Sequence, residues 1–119
     1  NDNDIVLLRY TSDGSLDPTF DGDGMVSTEV GTGSDEFASS IAIQPDGKIL
    51  IGGAVFDGSG MALALLRFDS GGKLDPGFDV DGKVITDFGV GSERGGFVAR
   101  QPDGKIVLGG YSEDFILLV

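Results

Sequence analysis

Short apolar runs separated by segments rich in Gly and Asp are the dominant pattern along this chain. Runs such as IVLL, ILIGGAV and LALLRF are four to eight residues long, and Gly or Asp-Gly pairs separate them. Short runs bounded by turn residues predict β-strands rather than helices. The runs that contain Leu50 and Leu65 are apolar at nearly every position. Because a strand with one face in water alternates between apolar and polar residues, these continuous runs predict strands that are covered on both faces.

The whole pattern occurs twice. Residues 7–36 align with residues 65–94 at an offset of 58, and residues 38–54 align with residues 95–111 at an offset of 57. Each copy contains several short strands, so the alignment indicates a repeat architecture in which one unit needs its neighbours to bury its apolar faces.

Each unit predicts four short antiparallel strands. In order of position within the unit, they are residues 25–30 and 83–88, residues 39–44 and 97–101, residues 48–56 and 105–111, and residues 61–68 with further copies at 4–10 and 114–119. Repeated four-stranded sheets with both faces covered are what the blades of a β-propeller require. We therefore expect an all-β fold with β-propeller-type four-stranded antiparallel blades. Gly52-Gly53 and Gly109-Gly110 leave strand backbone without side chains, which lets a neighbouring sheet approach closely.

The fourth strand occurs in three copies, one more than the other strands. We expect residues 1–10 to form a lone outer strand of a preceding or neighbouring blade, residues 11–68 the first blade repeat, and residues 69–119 the second. Since at least ~3 repeats are usual for stability, the other blades must come from further copies of the chain or from a longer chain. The start NDND, without Met, and the end inside an apolar run favour a processed or excised product.

The segment QPDGK joins the second and third strands of each unit. Proline presets φ for a turn, aspartate bonds to nearby backbone groups, and glycine adopts a positive φ without a steric clash. This order is typical of a hairpin with a type I turn and a bulge. The structural turn residues are Pro45, Asp46, Gly47, Pro102, Asp103 and Gly104.

A longer motif, L-R-[YF]-x-x-x-G-x-L-D-P-x-F-D-x-D-G-x-V followed by Q-P-D-G-K-I-x-x-G-G, occurs in both units. It resembles the bacterial delta-sixty repeat, a β-propeller family of unknown function found in long secreted and surface proteins. The resemblance covers almost all of the chain and implies four-stranded blades, an extracellular or cell-surface location, and no particular activity. The chain departs from the family in having only two units, in Arg100 at the position of Ile43, and in Val119 at the position of Arg9.

The composition argues against several classes of function. The chain has 8 basic and 20 acidic residues, and its net charge of −12 disfavours nucleic acids and anionic membranes as partners. It contains no Cys and no His, which excludes disulfides and removes the commonest general base and the usual zinc ligand. No apolar run approaches the ~18 residues of a transmembrane helix, and no signal peptide is recognisable. We expect no enzyme activity, no nucleic-acid partner and no membrane insertion.

Two acidic loops, residues 12–24 and residues 70–82, follow the fourth strand of each unit. Asp-x-Asp-Gly segments with a further carboxylate nearby have the oxygen-rich turns that calcium prefers, although no Glu completes an EF-hand. The same pattern serves to cap backbone N–H groups in tight turns. Both interpretations are open, and the candidate Ca²⁺ ligands are Asp17, Asp21, Asp23, Asp75, Asp79 and Asp81.

Two pairs of residues recur at equivalent positions of these loops. Phe20 and Phe78 lie within the loops, and we expect them to anchor the loops on the blade core, with ligand stacking as the alternative. Arg9 and Arg67 end the strands before the loops. We expect them to form an ion pair or to bond a backbone carbonyl of the next blade, with an anion site as the alternative.

Three functional hypotheses are consistent with these patterns. In the first, the chain is a structural or interaction module that forms a homo-oligomer or polymer, a ring or a filament, through blade faces and terminal strands. Its candidate assembly residues are Ile5, Val6, Leu7, Leu8, Phe115, Ile116, Leu117 and Leu118. In the second, the chain is a fragment of a larger secreted propeller that binds calcium or a glycan. The third, an enzyme, lacks a recognisable nucleophile and base.

Overall fold

A computed structural model of the chain describes residues 4–30, 35–56, 60–87 and 93–112. All secondary-structure elements within these ranges are β-strands, which confirms the all-β class. In chain order the strands are β1 Ile5–Leu8, β2 Met25–Thr28, β3 Asp35–Ile43, β4 Ile49–Phe56, β5 Met61–Phe68, β6 Lys83–Thr86, β7 Glu93–Arg100 and β8 Ile106–Ser112. The predicted strand at 114–119 lies outside the described residues. No described segment is a helix long and apolar enough to cross a membrane.

The strands form one four-stranded sheet and two two-stranded sheets. The order in the larger sheet is β3-β4-β5-β6, with all neighbours antiparallel. The smaller sheets are β1-β2 and β7-β8. In the sequence repeat, β1-β2 corresponds to β5-β6, and β7-β8 corresponds to β3-β4. The described chain therefore contains one complete antiparallel blade and two complementary halves of a blade.

This grouping differs from the predicted one. The complete sheet runs from Asp35 to Thr86 rather than over residues 11–68, and β1 is not a lone outer strand because it pairs with β2. The physical reason lies in the acidic loops. Arg9 N–H donates to the Gly24 carbonyl over 3.0 Å, and thus the loop returns the chain alongside the strand it has just left. Pairing across the loop leaves β5 in the interior of its sheet, between β4 and β6.

The hydrophobic core lies between β1-β2 and one face of the complete sheet. Leu66 and Phe68 are fully buried, and Ile5 and Leu7 face them from β1 at 2% and 5% exposure. The other face of the sheet is covered by β7, which lies over β4. Because both faces are covered, β4 and β5 are apolar without alternation. Leu50 and Ala64, which lie on opposite faces of the sheet, are both fully buried.

The contact between β4 and β7 depends on glycine. A Cβ at Gly52 would overlap the carbonyl oxygen of Gly96 and lie 2.9 Å from a methyl carbon of Leu108. The backbones of the two sheets therefore touch directly, as the Gly-Gly pair in β4 predicts. The equivalent Gly109 in β8 has no heavy atom within 4 Å of the position that its Cβ would take.

The hairpin turn between β3 and β4 is repeated between β7 and β8. Gly47 N–H donates to the Gln44 carbonyl over 2.9 Å, and Lys48 N–H donates to the Asp46 carboxylate over 3.0 Å. Gly47 has a φ of +89°, a backbone conformation that residues with a Cβ rarely adopt. In the second copy, Lys105 N–H donates to Asp103 over 3.0 Å and Gly104 has a φ of +91°. The ten repeated residues thus build the same hairpin twice.

Substitution of Gly52 by Ala is expected to destabilise the fold by about 1–3 kcal/mol, because the added methyl group forces the sheets apart. The matched control is Gly109→Ala, which meets open space and should change the free energy of unfolding by less than about 0.5 kcal/mol. Urea denaturation at low protein concentration measures both values. Equal losses for the two variants would contradict the close approach of β7 to β4.

Candidate functional site: the acidic loops

The acidic loops, named loop 1 (residues 12–24) and loop 2 (residues 70–82), connect β1 to β2 and β5 to β6. They share most of their backbone hydrogen bonds. In loop 1, Phe20 N–H donates to the Asp17 carbonyl over 3.0 Å, and Phe78 N–H donates to Asp75 over the same distance in loop 2. The loops are therefore two copies of one structure.

Asp17 holds loop 1 against the end of β1. Its carboxylate accepts from Arg9 Nε over 2.9 Å and from the Thr19 N–H over 2.9 Å. The Thr19 hydroxyl donates to the same carboxylate over 2.6 Å. These donors, with the hydroxyl contributing most, hold the pKa of Asp17 below its ordinary value. The Arg9 guanidinium also lies over the Phe20 ring, 4.6 Å from its centre.

Asp75 has a more buried environment at the equivalent place in loop 2. It is 6% exposed and accepts from Lys48 Nζ over 2.9 Å, from Arg67 Nε over 2.8 Å and from Gly77 N–H over 2.9 Å. The hydrogen bond from Lys48, together with those from Gly77 and Arg67, lowers the pKa of Asp75 to about 2 from an ordinary 3.8. Lys48 comes from the QPDGK turn, so this carboxylate links the turn, β5 and loop 2.

The remaining candidate calcium ligands point to different partners. Asp21 accepts from Lys73 Nζ over 3.0 Å, Asp23 caps Met25 N–H over 3.0 Å, and Asp81 caps Lys83 N–H over 3.0 Å. No described residue donates to the Asp79 carboxylate. Within the described ranges, no three Asp or Glu residues come together in a group that suits a metal ion.

Calcium binding by these loops stays a prediction. A calcium titration followed by calorimetry and by thermal unfolding tests it directly. Binding would release heat and raise the unfolding temperature, and Asp17→Asn or Asp75→Asn would reduce both effects. A titration with neither heat nor a thermal shift would contradict the prediction.

The two loops also bind each other within the chain. Arg9 Nη1 donates to the Ser70 carbonyl over 2.7 Å, and Asp21 N–H donates to the Gly71 carbonyl over 2.8 Å. Lys73 pairs with Asp21, and this ion pair raises the pKa of Lys73. Phe20, 1% exposed, packs beneath Gly72. The expected bond from a strand-terminal arginine to a backbone carbonyl of the next sheet is present at Arg9.

Two lysines at this site were missed by sequence reasoning. The sequence pattern places Lys48 in the QPDGK segment and at the start of the strand 48–56, and it predicts no ion pair for Lys48 or Lys73. The signal for Lys73 is visible in the repeat, since loop 1 has Ser15 at the equivalent position. A charged residue that is present in loop 2 but not at the equivalent position of loop 1 suggests a contact that only loop 2 makes.

The candidate assembly residues of β1 divide between core and surface. Ile5 and Leu7 are buried, whereas Val6 and Leu8 are 57% and 48% exposed. The exposed pair lines an apolar groove of about 300 Å³ between β1 and β3, together with Ile41. Phe115, Ile116, Leu117 and Leu118 lie outside the described residues.

The stability of the chain should fall in acid because of Asp75. A carboxyl group whose pKa is lower in the folded chain than in the unfolded chain stabilises the fold above its unfolded pKa. We expect that contribution to be complete at pH 5 and above, to fall between about pH 4 and pH 2, and to be absent in Asp75→Asn. Chemical denaturation across this pH range measures the difference. Asp17→Asn, at a more exposed pair, is the control and should have the smaller effect.

Comparison with known proteins gives one match. The family described as Domain of unknown function (DUF5122) beta-propeller matches residues 1–20, 44–78 and 101–118, which together are more than half of the chain. No curated protein and no solved structure matches the chain. The matched segments include β1, the turn between β3 and β4, β4, β5 and the first part of each acidic loop. The chain therefore belongs to the DUF5122 beta-propeller domain family.

Proposed function

We propose that this chain is a non-enzymatic structural module of an extracellular repeat protein, and that its blades assemble with those of further copies by strand complementation. One observation carries the proposal: the described chain begins with the second half of a blade and ends with the first half of another. The β1-β2 sheet has the sequence of β5-β6, and the β7-β8 sheet has that of β3-β4. Joined edge to edge, the halves make one complete blade.

Exposed apolar side chains on both halves support this proposal. Phe97, Val107 and Tyr111 on β7-β8 are 59%, 49% and 55% exposed, and Val6 and Leu8 on β1 are similarly open. Contiguous apolar surface at a sheet face is typical of an interaction site. An unpaired strand edge adds backbone N–H and C=O groups that a further strand satisfies.

The complete blade supplies the register for such a joint. In it, Ile51 pairs with Leu66 and Gly53 pairs with Ala64. Moved by the repeat offsets, these pairs become Leu108 with Leu8 and Gly110 with Val6, the second member of each belonging to another copy. Residues 114–119 share the sequence pattern of β5, so they are the competing candidate for the same edge of β8.

The resemblance to delta-sixty repeats supports the extracellular location, since that family occurs in secreted and surface proteins. A ring and a filament are both consistent with head-to-tail contacts, because the rotation at each joint decides between them. The alternative is that the chain is a fragment of a larger secreted propeller that binds calcium or a glycan.

The mass in solution is the first test of assembly. Each copy contributes two blades' worth of strands, and propellers have ~4–8 blades. A ring should therefore hold roughly two to four copies of the 12.3 kDa chain. Light scattering on the purified chain should give a discrete mass in that range, or a broad distribution of large masses if a filament forms. A monomer at all concentrations would contradict the proposal and favour the fragment.

Cysteine cross-linking tests the register, because the chain contains no Cys of its own. Leu8→Cys and Leu108→Cys variants are mixed and oxidised, and we expect a disulfide-linked dimer. The matched control pairs Val6→Cys with Leu108→Cys, which lie two residues out of register and should link far less. Linkage at equal yield in both mixtures, or in neither, would contradict β1–β8 pairing between copies.

A further inference from the structure

The loop contact described above has two different faces. The phenylalanine face of each loop combines the arginine at the end of the preceding strand with a phenylalanine and an aspartate of the loop itself. These residues are Arg9, Phe20 and Asp21 for loop 1 and Arg67, Phe78 and Asp79 for loop 2. The glycine face is the first turn of each loop, residues 12–15 in loop 1 and residues 70–73 in loop 2. Within the chain, the phenylalanine face of loop 1 binds the glycine face of loop 2. This contact leaves the glycine face of loop 1 and the phenylalanine face of loop 2 outside the pairing.

We infer that the two leftover faces bind each other between copies of this chain: the phenylalanine face of loop 2 docks on the glycine face of loop 1 in a second copy. This inference rests on the proposed assembly and adds a second contact to the strand joint. It assigns Phe78, Arg67 and Gly14 to an interface; within the described part of the chain, none of the three makes a hydrogen bond or an ion pair to the other loop.

The phenylalanine face of loop 2 is formed but only partly covered. Arg67 lies over the Phe78 ring at 4.7 Å from its centre, as Arg9 does over Phe20 at 4.6 Å. Phe78 is half-buried, whereas Phe20 is 1% exposed. Arg9 Nη1 reaches a carbonyl of the other loop, but no described residue accepts from an Nη atom of Arg67.

The glycine face of loop 1 is formed and empty. Gly14 and Gly72 both have a φ of +94°, so the two turns have the same backbone. A Cβ at Gly72 would lie 3.1 Å from the Phe20 ring, whereas nothing lies within 4 Å of the equivalent position at Gly14. The space above Gly14 is thus the space that a phenylalanine fills at Gly72. Surfaces that already have their bound shape lose little conformational entropy on docking.

The strand joint leads to the same arrangement. If β1 of a second copy completes the β7-β8 sheet, loop 1 of that copy becomes the loop that follows loop 2 in the order of blades. Within the chain, loop 2 already follows loop 1 in the same way, with its glycine face against the phenylalanine face of loop 1. The loop contact and the strand contact therefore require the same partner, a second copy docked head to tail, and the same order.

The contact between copies differs from the contact within the chain in its charges. Lys73 on the glycine face of loop 2 pairs with Asp21, but loop 1 has Ser15 at this position. Loop 1 also has Asp13 where loop 2 has Gly71. In the docked pair, Asp79 therefore lies near the Asp13 carboxylate of the second copy and finds Ser15 where Asp21 finds Lys73. We expect a weaker contact that salt strengthens by screening the repulsion.

The test measures the dissociation constant between copies by sedimentation equilibrium. Phe78→Ala should weaken assembly by about tenfold or more, as expected for a central aromatic side chain at an interface. Ser15→Lys should strengthen it by about twofold to fivefold by restoring an exposed ion pair to Asp79, and Asp79→Asn should cancel that gain. The matched control is Lys73→Ser, which removes the ion pair inside the chain and should leave the dissociation constant nearly unchanged.

The outcomes separate the inference from the proposed function. If the wild-type chain assembles but neither Phe78→Ala nor Ser15→Lys changes the dissociation constant, the loop contact is wrong and strand complementation stands. A wild-type chain that stays monomeric overturns both. Circular dichroism shows whether Phe78→Ala folds. Ser15 is on the surface, so its substitution decides the question if Phe78→Ala does not fold.

Discussion

The need to cover both faces of the complete sheet is the constraint on which the rest of this structure depends. β4 and β5 are apolar on both sides, and water would meet Leu50 on one face or Leu66 on the other if either cover were absent. The covers are the two half-sheets, β1-β2 and β7-β8. Each half-sheet gains a partner on its inner face and keeps an apolar outer face, and neither has a third strand among the described residues. The apolar residues of the complete sheet are thus buried, and the apolar surface that remains exposed lies on the outer faces of β1-β2 and β7-β8.

The acidic loops fix how neighbouring sheets are joined. A carboxylate in each loop binds the arginine that ends the preceding strand, and the arginine of loop 1 reaches the next loop. The acidity of these loops therefore has a structural use that needs no bound ion among the described residues. The loops have one backbone but different charges, and this allows a tighter contact inside the chain than the one inferred between copies. A β-propeller fold alone does not define an activity.

The positions of the strands could be predicted from the sequence, but their grouping into sheets could not. Approximate strand positions followed from runs of apolar residues. The predicted interval 48–56 differs from the observed Ile49–Phe56 by one residue, whereas β3 and β7 begin four residues before the predicted intervals 39–44 and 97–101. Strand grouping did not follow, because the repeat has the same period wherever its start is placed. The observed β1-β2 and β5-β6 pairings show that the strands on either side of each acidic loop are neighbours. The turn chemistry at Gly47 depends on adjacent residues and was readable directly.

The sequence by itself determined the all-β class, the approximate strand positions, the hairpin turns and the close approach at Gly52, because each depends on local pattern or on the absence of a side chain. The tertiary structure decided which strands share a sheet and which charges meet. Lys48 lies 27 residues before Asp75, and Lys73 lies 52 residues after Asp21. No local pattern connects residues so far apart, since their distance is set by the packing of whole sheets. The same packing determined that Phe20 is fully buried and Phe78 only half-buried.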